Sequence, residues 1–164
     1  MDKNWSQNSI AFELCLSPSQ INSAFKRLVA VGLITPYHPP SKPQPIIQAC
    51  EEFFLHGLKY VFPAKLGELA RGIPTSYAVP SLNDQIIAGN DPIPVWPYDE
   101  GNERGLALKP LYSSVPESVA KHPDPLFYDL LTLLDAICSG RVRERQIAGQ
   151  KISAILKSKK VGIK

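Results

Sequence analysis

Sixteen prolines in 164 residues decide where this chain can hold a helix. Proline has no amide hydrogen and clashes with the preceding turn, so long helices are confined to stretches that lack it. Four such windows stand out, at 1–17, 19–35, 46–62 and 126–164. The segment 36–45 (Pro-Tyr-His-Pro-Pro-Ser-Lys-Pro-Gln-Pro) and the stretch 63–125 hold nearly all the other prolines and are expected to be extended, turning or irregular. No repeat or low-complexity tract interrupts this order. The organisation implied is a helical unit over 1–35, a proline-rich connection over 36–45, a mixed helix, loop and hairpin region over 46–125, and a C-terminal helical segment over 126–164.

A hydrophobic share of 44% beside 20% charged residues is too apolar for a disordered chain. No apolar run approaches the about 18 residues needed to cross a bilayer, which leaves the soluble globular class. Cys15, Cys50 and Cys138 are odd in number and far apart. No secretory signal pattern opens the chain, so a reducing cytoplasm is the expected compartment. The net charge of +3 is segregated: residues 1–35 carry +1, residues 36–138 carry −5 and residues 139–164 carry +7. A basic end on an acidic body points to nucleic acid, to a partner of opposite sign, or to a solvated tail.

The most informative window runs from Trp5 to Thr35. Ser17 reads as a helix N-cap, Pro18 occupies the first helical position, and Gln20 completes a capping box. Ile21, Phe25 and Leu28 recur at the helical period with Ala24 and Val29 at the flanks, and Gly32 suits a left-handed stop. A shorter helix over Ser6 to Leu14 precedes it, with Ile10, Ala11 and Leu14 facing inward. Two helices joined by so short a turn read as a helix-turn-helix.

This stretch resembles the winged-helix bacterial transcriptional regulators of the broad MarR and Lrp group. Ile10, Ala11, Leu14, Leu16, Ser17, Ile21, Phe25, Leu28, Gly32, Leu33 and Ile34 occupy the matching places. The departure is Cys15, where the family favours glycine for a positive φ; a cysteine held there costs about 1 kcal/mol. The resemblance implies that the helix over 18–31 is a recognition helix for double-stranded DNA, borne by a homodimer. Its candidate contacts are Ser17, Ser19, Gln20, Asn22, Ser23, Lys26 and Arg27, with Ala30 on the same outer face. Asn and Gln suit adenine edges, Arg and Lys suit guanine or phosphate, and small residues permit close approach. The family also calls for an earlier helix and a wing. Few residues precede Trp5, so the expectation is a truncated start, or a C-terminal helix or second subunit covering that face. The wing would fall in 36–45, whose prolines forbid a full ladder; Lys42 there could follow a phosphate backbone, but a plain linker is the favoured reading.

Pro45 opens the next amphipathic helix. Ile46, Ala49, Cys50, Phe53, Phe54, Gly57, Leu58 and Val61 are expected inside, and Leu55 on the polar side, where with Tyr60 and Phe62 it could mark a partner surface. Residues 63–92 are expected as ordered loop with a short helix near Ser81 to Ala88. Pro94 to Tyr98 and Glu103 to Leu108 flank the turn Asp99-Glu-Gly-Asn102 and predict a β-hairpin. Asp124 and Pro125 cap a wide apolar stripe from Leu126 to Cys138, which suits a core or dimer helix. A last helix from Arg141 buries Ala148, Ile152, Ile155 and Leu156. Arg141, Arg143 and Arg145 at its start oppose the helix dipole, so acidic partners (Asp135, Glu144, another chain) or DNA phosphate are expected beside them. The fold class is mainly α with a small β component.

The run Phe53 to Pro63, the motif Arg71-Gly-x-Pro-Thr75 and the motif Arg104-Gly-Leu-Ala-Leu-x-Pro-Leu-Tyr112 are similar to poorly characterised bacterial helix-turn-helix proteins. Some of these accompany nucleotidyltransferase-type toxins, which implies an antitoxin or adaptor with a protein partner. His38, His56 and His122 lie in unrelated contexts, and no catalytic, phosphate-loop or dinucleotide motif is present. No enzyme activity, metal or cofactor is expected.

Overall fold

The computed structural model describes residues 5–79, 82 and 91–161. It is a mixed α and β structure. Helices α1 (Gln7–Glu13) and α2 (Pro18–Ala30) open it. Helix α3 (Ile47–Glu52) runs through a π-helical turn (Phe53–Gly57) into α4 (Leu58–Val61). Strand β1 (Leu66–Pro74), a 3-10 turn (Ser76–Ala78), and strands β2 (Pro94–Pro97) and β3 (Glu103–Leu108) form the middle. Helices α5 (Val115–Lys121), α6 (Pro125–Ser139) and α7 (Val142–Val161) close the chain. No helix among the described residues is long and apolar enough to cross a membrane.

Capping chemistry places the ends of the first two helices. The Ser17 hydroxyl accepts the Gln20 amide (3.3 Å), and Gln20 Oε1 accepts the Ser17 amide (2.8 Å), so two otherwise orphaned donors are satisfied. Ser6 and Ser9 form the same reciprocal pair on α1. Both helices end alike. Gly32 at φ +73° lets the Leu33 amide reach the Leu28 carbonyl at 2.9 Å, and Cys15 at φ 52° lets the Leu16 amide reach the Ala11 carbonyl at 2.9 Å. The left-handed position is therefore kept although its occupant is a cysteine.

Strands β2 and β3 occupy the two segments expected of a hairpin, but they are not hairpin partners. Each pairs antiparallel with β1, in registers that include Ile73↔Trp96 and Ala70↔Gly105. They meet each other in parallel at Pro94↔Leu106 and Val95↔Ala107, closing a three-stranded barrel. The stretch expected as loop thus supplies the central strand. Its alternation is masked because five of its first six residues face solvent. Glycine makes the tight closure possible: a Cβ on Gly72 would lie 2.0 Å from the Trp96 carbonyl oxygen, and one on Gly105 2.0 Å from that of Ile93. Of the short helix expected over 81–88, only Leu82 is described; it is helical and fully buried.

The π-helical turn corrects the inner face of the third helical window. The Leu58 amide bonds the Phe53 carbonyl, five residues back, and the extra residue rotates the following register. Leu55, expected on the polar side, packs against the main core, whereas Val61 is 59% exposed. Ile46, also expected inside, is the N-cap residue ahead of α3 and is 38% exposed.

Helix α6 is the hub. All residues from Leu131 to Ile137 are buried. One face joins Leu58, Val79, Leu82, Ala148 and Ile152 in the larger core cluster, and Leu131 joins Trp96 and Val115 in a smaller one against the barrel. Asp124 caps this helix as expected, accepting the Leu126 and Phe127 amides. Between the clusters lies a buried polar node. Oδ2 of Asp135 accepts the Thr75 hydroxyl at 2.7 Å and the Trp96 indole N–H at 2.6 Å. Asp135 is therefore the tie between hub and barrel, not a partner of the arginines that follow.

Candidate nucleic-acid interface

Helix α2 buries one stripe and leaves the rest in solvent. Ile21 is its one buried residue, while Ala24, Phe25, Leu28 and Val29 are half-buried. Ser19, Ser23, Lys26 and Ala30 fall opposite Ile21 at 100° per residue and are exposed, as are Asn22 and Arg27 on the flanks. Its 13 residues make a rod about 20 Å long, a length and width a major groove admits.

The seven expected contact residues divide into two groups. Ser17 and Gln20 are committed to the capping box, and Gln20 Nε2 also donates to the Tyr112 hydroxyl at 3.1 Å. The Ser19 hydroxyl lies 3.0 Å from that of Ser17, and Asn22 donates to Gln7 Oε1 at 3.2 Å. Ser23, Lys26 and Arg27 have no hydrogen-bond or ion-pair partner among the described side chains. The freely presented chemistry is thus one small hydroxyl and two cations, with Ser19 and Asn22 held by weak exposed bonds. Tyr112 is the residue that sequence reasoning missed; it is 92 positions from Gln20, and no local pattern couples the two.

Beyond α2 the chain doubles back as a short ribbon. Ile34 faces Pro45 and His38 faces Ser41 in isolated antiparallel bridges, and the Thr35 amide donates to the Gln44 carbonyl at 2.8 Å. The segment expected as wing or linker thus folds back on itself. Prolines do limit the pairing, yet non-proline donors at Thr35, Ser41 and Ile46 are enough to hold the two arms together. Lys42 is not free to follow a phosphate backbone, because its ammonium donates to the Trp5 carbonyl and lies 5.1 Å from the centre of that indole ring. Trp5 in turn stacks at 5.7 Å on Phe25, which anchors the ribbon to α2. A cleft of about 310 Å³ between ribbon and helix is lined by Lys26, Asn22 and the exposed Tyr37.

Helix α5 and the turn before it meet α1 and the start of α2. The Ser118 hydroxyl donates to the Glu13 carbonyl at 2.7 Å, and the rings of Phe12 and His122 lie 4.5 Å apart. These contacts come from the middle region over 46–125, not from the C-terminal helical segment expected to cover this face.

The basic C-terminal segment is also open. Arg141 and Arg143 are exposed, Arg145 is half-buried, and none has a side-chain ion pair among the described residues. Glu144 instead caps its own helix, accepting the Arg141 amide at 2.8 Å. Searches of protein-family models, curated proteins and solved structures find no match to this chain.

Proposed function

We propose that the chain is a sequence-specific DNA-binding transcriptional regulator that places α2 in the major groove, in the manner of a winged helix-turn-helix. The observation that carries this reading is the outer face of α2. Small residues, Ser19, Ser23 and Ala30, alternate there with unpaired Lys26 and Arg27, on a helix whose two ends are held by its own caps. Small side chains let a backbone approach base edges, and the cations meet phosphate or guanine. The ribbon over 33–46 stands directly after this helix, where a wing would. A homodimer reading two half-sites belongs to the same reading. Gel-shift titration against DNA from upstream of its own coding region tests it. Lys26→Ala with Arg27→Ala should weaken binding at least tenfold and lower the slope of log K against log salt by about two; unchanged affinity and slope would refute the role of α2.

A second reading, an adaptor or antitoxin whose main partner is another protein, is favoured by the unpaired arginines and basic residues of α7. Co-purification with the product of the neighbouring gene tests it.

A further inference from the structure

Two segments that the sequence marked separately as partner surfaces, the stretch beginning at Leu55 and the C-terminal helix, form opposite walls of one groove. Its volume is about 750 Å³. The floor is apolar, with Leu55, Ile137, Ala154 and Val142, the last 62% exposed. A Cβ on Gly149 would come within 3.3 Å of Leu55, so the missing side chain lets α7 lie close over that floor. The rim is basic: His56 and Lys59 stand on one wall, Arg145 and Lys157 on the other. No described Asp or Glu lines the groove. Arg145 and Lys157 have no ion-pair partner among the described residues, and Lys59 makes only a contact at 4.9 Å with the ring of Tyr60. From Arg145 to Lys157 the wall is about 18 Å long, a little over three helical turns.

We propose that this groove docks an amphipathic helix of another protein, apolar along one stripe and edged by Glu and Asp. A rim of cations would suit any polyanion, but a phosphate backbone has no use for an exposed valine and a leucine-lined floor. An acidic amphipathic helix satisfies both at once: its apolar stripe covers the floor, and its carboxylates meet the rim and steer the encounter. The proposal rests on the second reading above, that a protein is a partner, and is independent of whether α2 meets DNA.

The test uses the full chain and a labelled synthetic 18-residue helical peptide with Leu at i, i+4, i+7 and i+11 and Glu at the flanking positions, followed by fluorescence anisotropy. Controls are a scrambled peptide of equal charge, the same helix with Lys for Glu, and a short DNA duplex. The Glu-edged helix should bind, and the scrambled and Lys-edged peptides at least tenfold more weakly. Arg145→Glu with Lys157→Glu, and separately Ala154→Glu, should each reduce binding at least tenfold without changing the circular dichroism spectrum or the thermal midpoint. Binding of the acidic helix that survives all these substitutions would place the partner elsewhere and overturn the groove while sparing the adaptor reading. Absence of binding by any peptide would overturn the groove proposal, while the adaptor reading falls only if co-purification also fails. Loss of DNA binding in the Arg145/Lys157 variant, with the duplex and peptide in competition and the duplex preferred, would make the groove a phosphate track. Concentration-dependent self-association that vanishes in the variants would make the occupant a second copy. Either result overturns the proposal.

Discussion

At the residue scale, two side chains sit where local chemistry opposes them. Cys15 holds φ 52°, a conformation in which a Cβ crowds the following carbonyl. Cys15→Gly should therefore stabilise the protein by about 1 kcal/mol, offset in part by the greater freedom of glycine in the unfolded chain, as read by urea denaturation. Asp135 is 2% exposed, and burial raises its carboxyl from an ordinary 3.8 to about 6 although the Thr75 and Trp96 bonds favour the ionised form. The folded protein thus binds more protons than the unfolded chain between those two values. Its contribution is fully present below pH 4 and is lost as the pH rises to about 6, an effect of about 3 kcal/mol. Asp135→Asn keeps an oxygen for both donors and removes the titration. Stability measured from pH 4 to 7 should show the wild type losing ground relative to Asp135→Asn as pH rises, whereas parallel curves would contradict the assignment. The neighbouring groups that could titrate, Cys138 on the same helix and Tyr128 about two turns before Asp135, are both pushed upward by burial and stay neutral in this range.

At the element scale, the helices were legible because their signals are local. The Ser17 to Gln20 box, Pro18 and Gly32 lie within fifteen residues of one another, and the structure uses each as the sequence pattern predicts. Ser17→Ala should cost about 1 kcal/mol of stability in thermal or urea unfolding, and because Ser17 is spent on the cap, Ser17→Asp, which restores an acceptor, should recover it. The sheet was legible only in part. Strand β3 falls on the expected residues and β2 ends one residue short of Tyr98, but they are not each other's hairpin partners, since a turn signal at 99–102 says that the chain bends and not which edge it then joins. Strand β1 was missed because its outward Leu66 and Leu69 break the alternation by which a half-buried strand is recognised. The register of Leu55 was lost for a similar reason. Nothing in Phe-Phe-Leu-His-Gly announces a five-residue hydrogen bond, and one inserted residue turns every later side chain by about 100°.

At the scale of the whole molecule, α6 carries both core clusters, so the helical half and the barrel should unfold together. Leu133→Ala, at a site 1% exposed, should cost about 3 kcal/mol and lower a single transition seen equally by Trp96 fluorescence, isolated by Trp5→Phe, and by far-ultraviolet circular dichroism; two separated transitions would show that the hub does not couple them. The segregated charge acquires a meaning only here. The +7 end was visible by counting, but that Arg145 and Lys157 face His56 and Lys59 across an apolar floor depends on how α7 lies against the π-helical turn. The same division runs through the candidate DNA face. Sequence by itself determined the caps, the length and the outward residues of α2, because those follow from hydrogen bonds spanning three or four residues and from a period of 3.6. Tertiary structure decided that Gln20 is held by Tyr112, that Lys42 is held by Trp5, and that Asp135 binds the barrel instead of an arginine, because each is a contact between groups 37 to 92 positions apart whose meeting is set by packing alone.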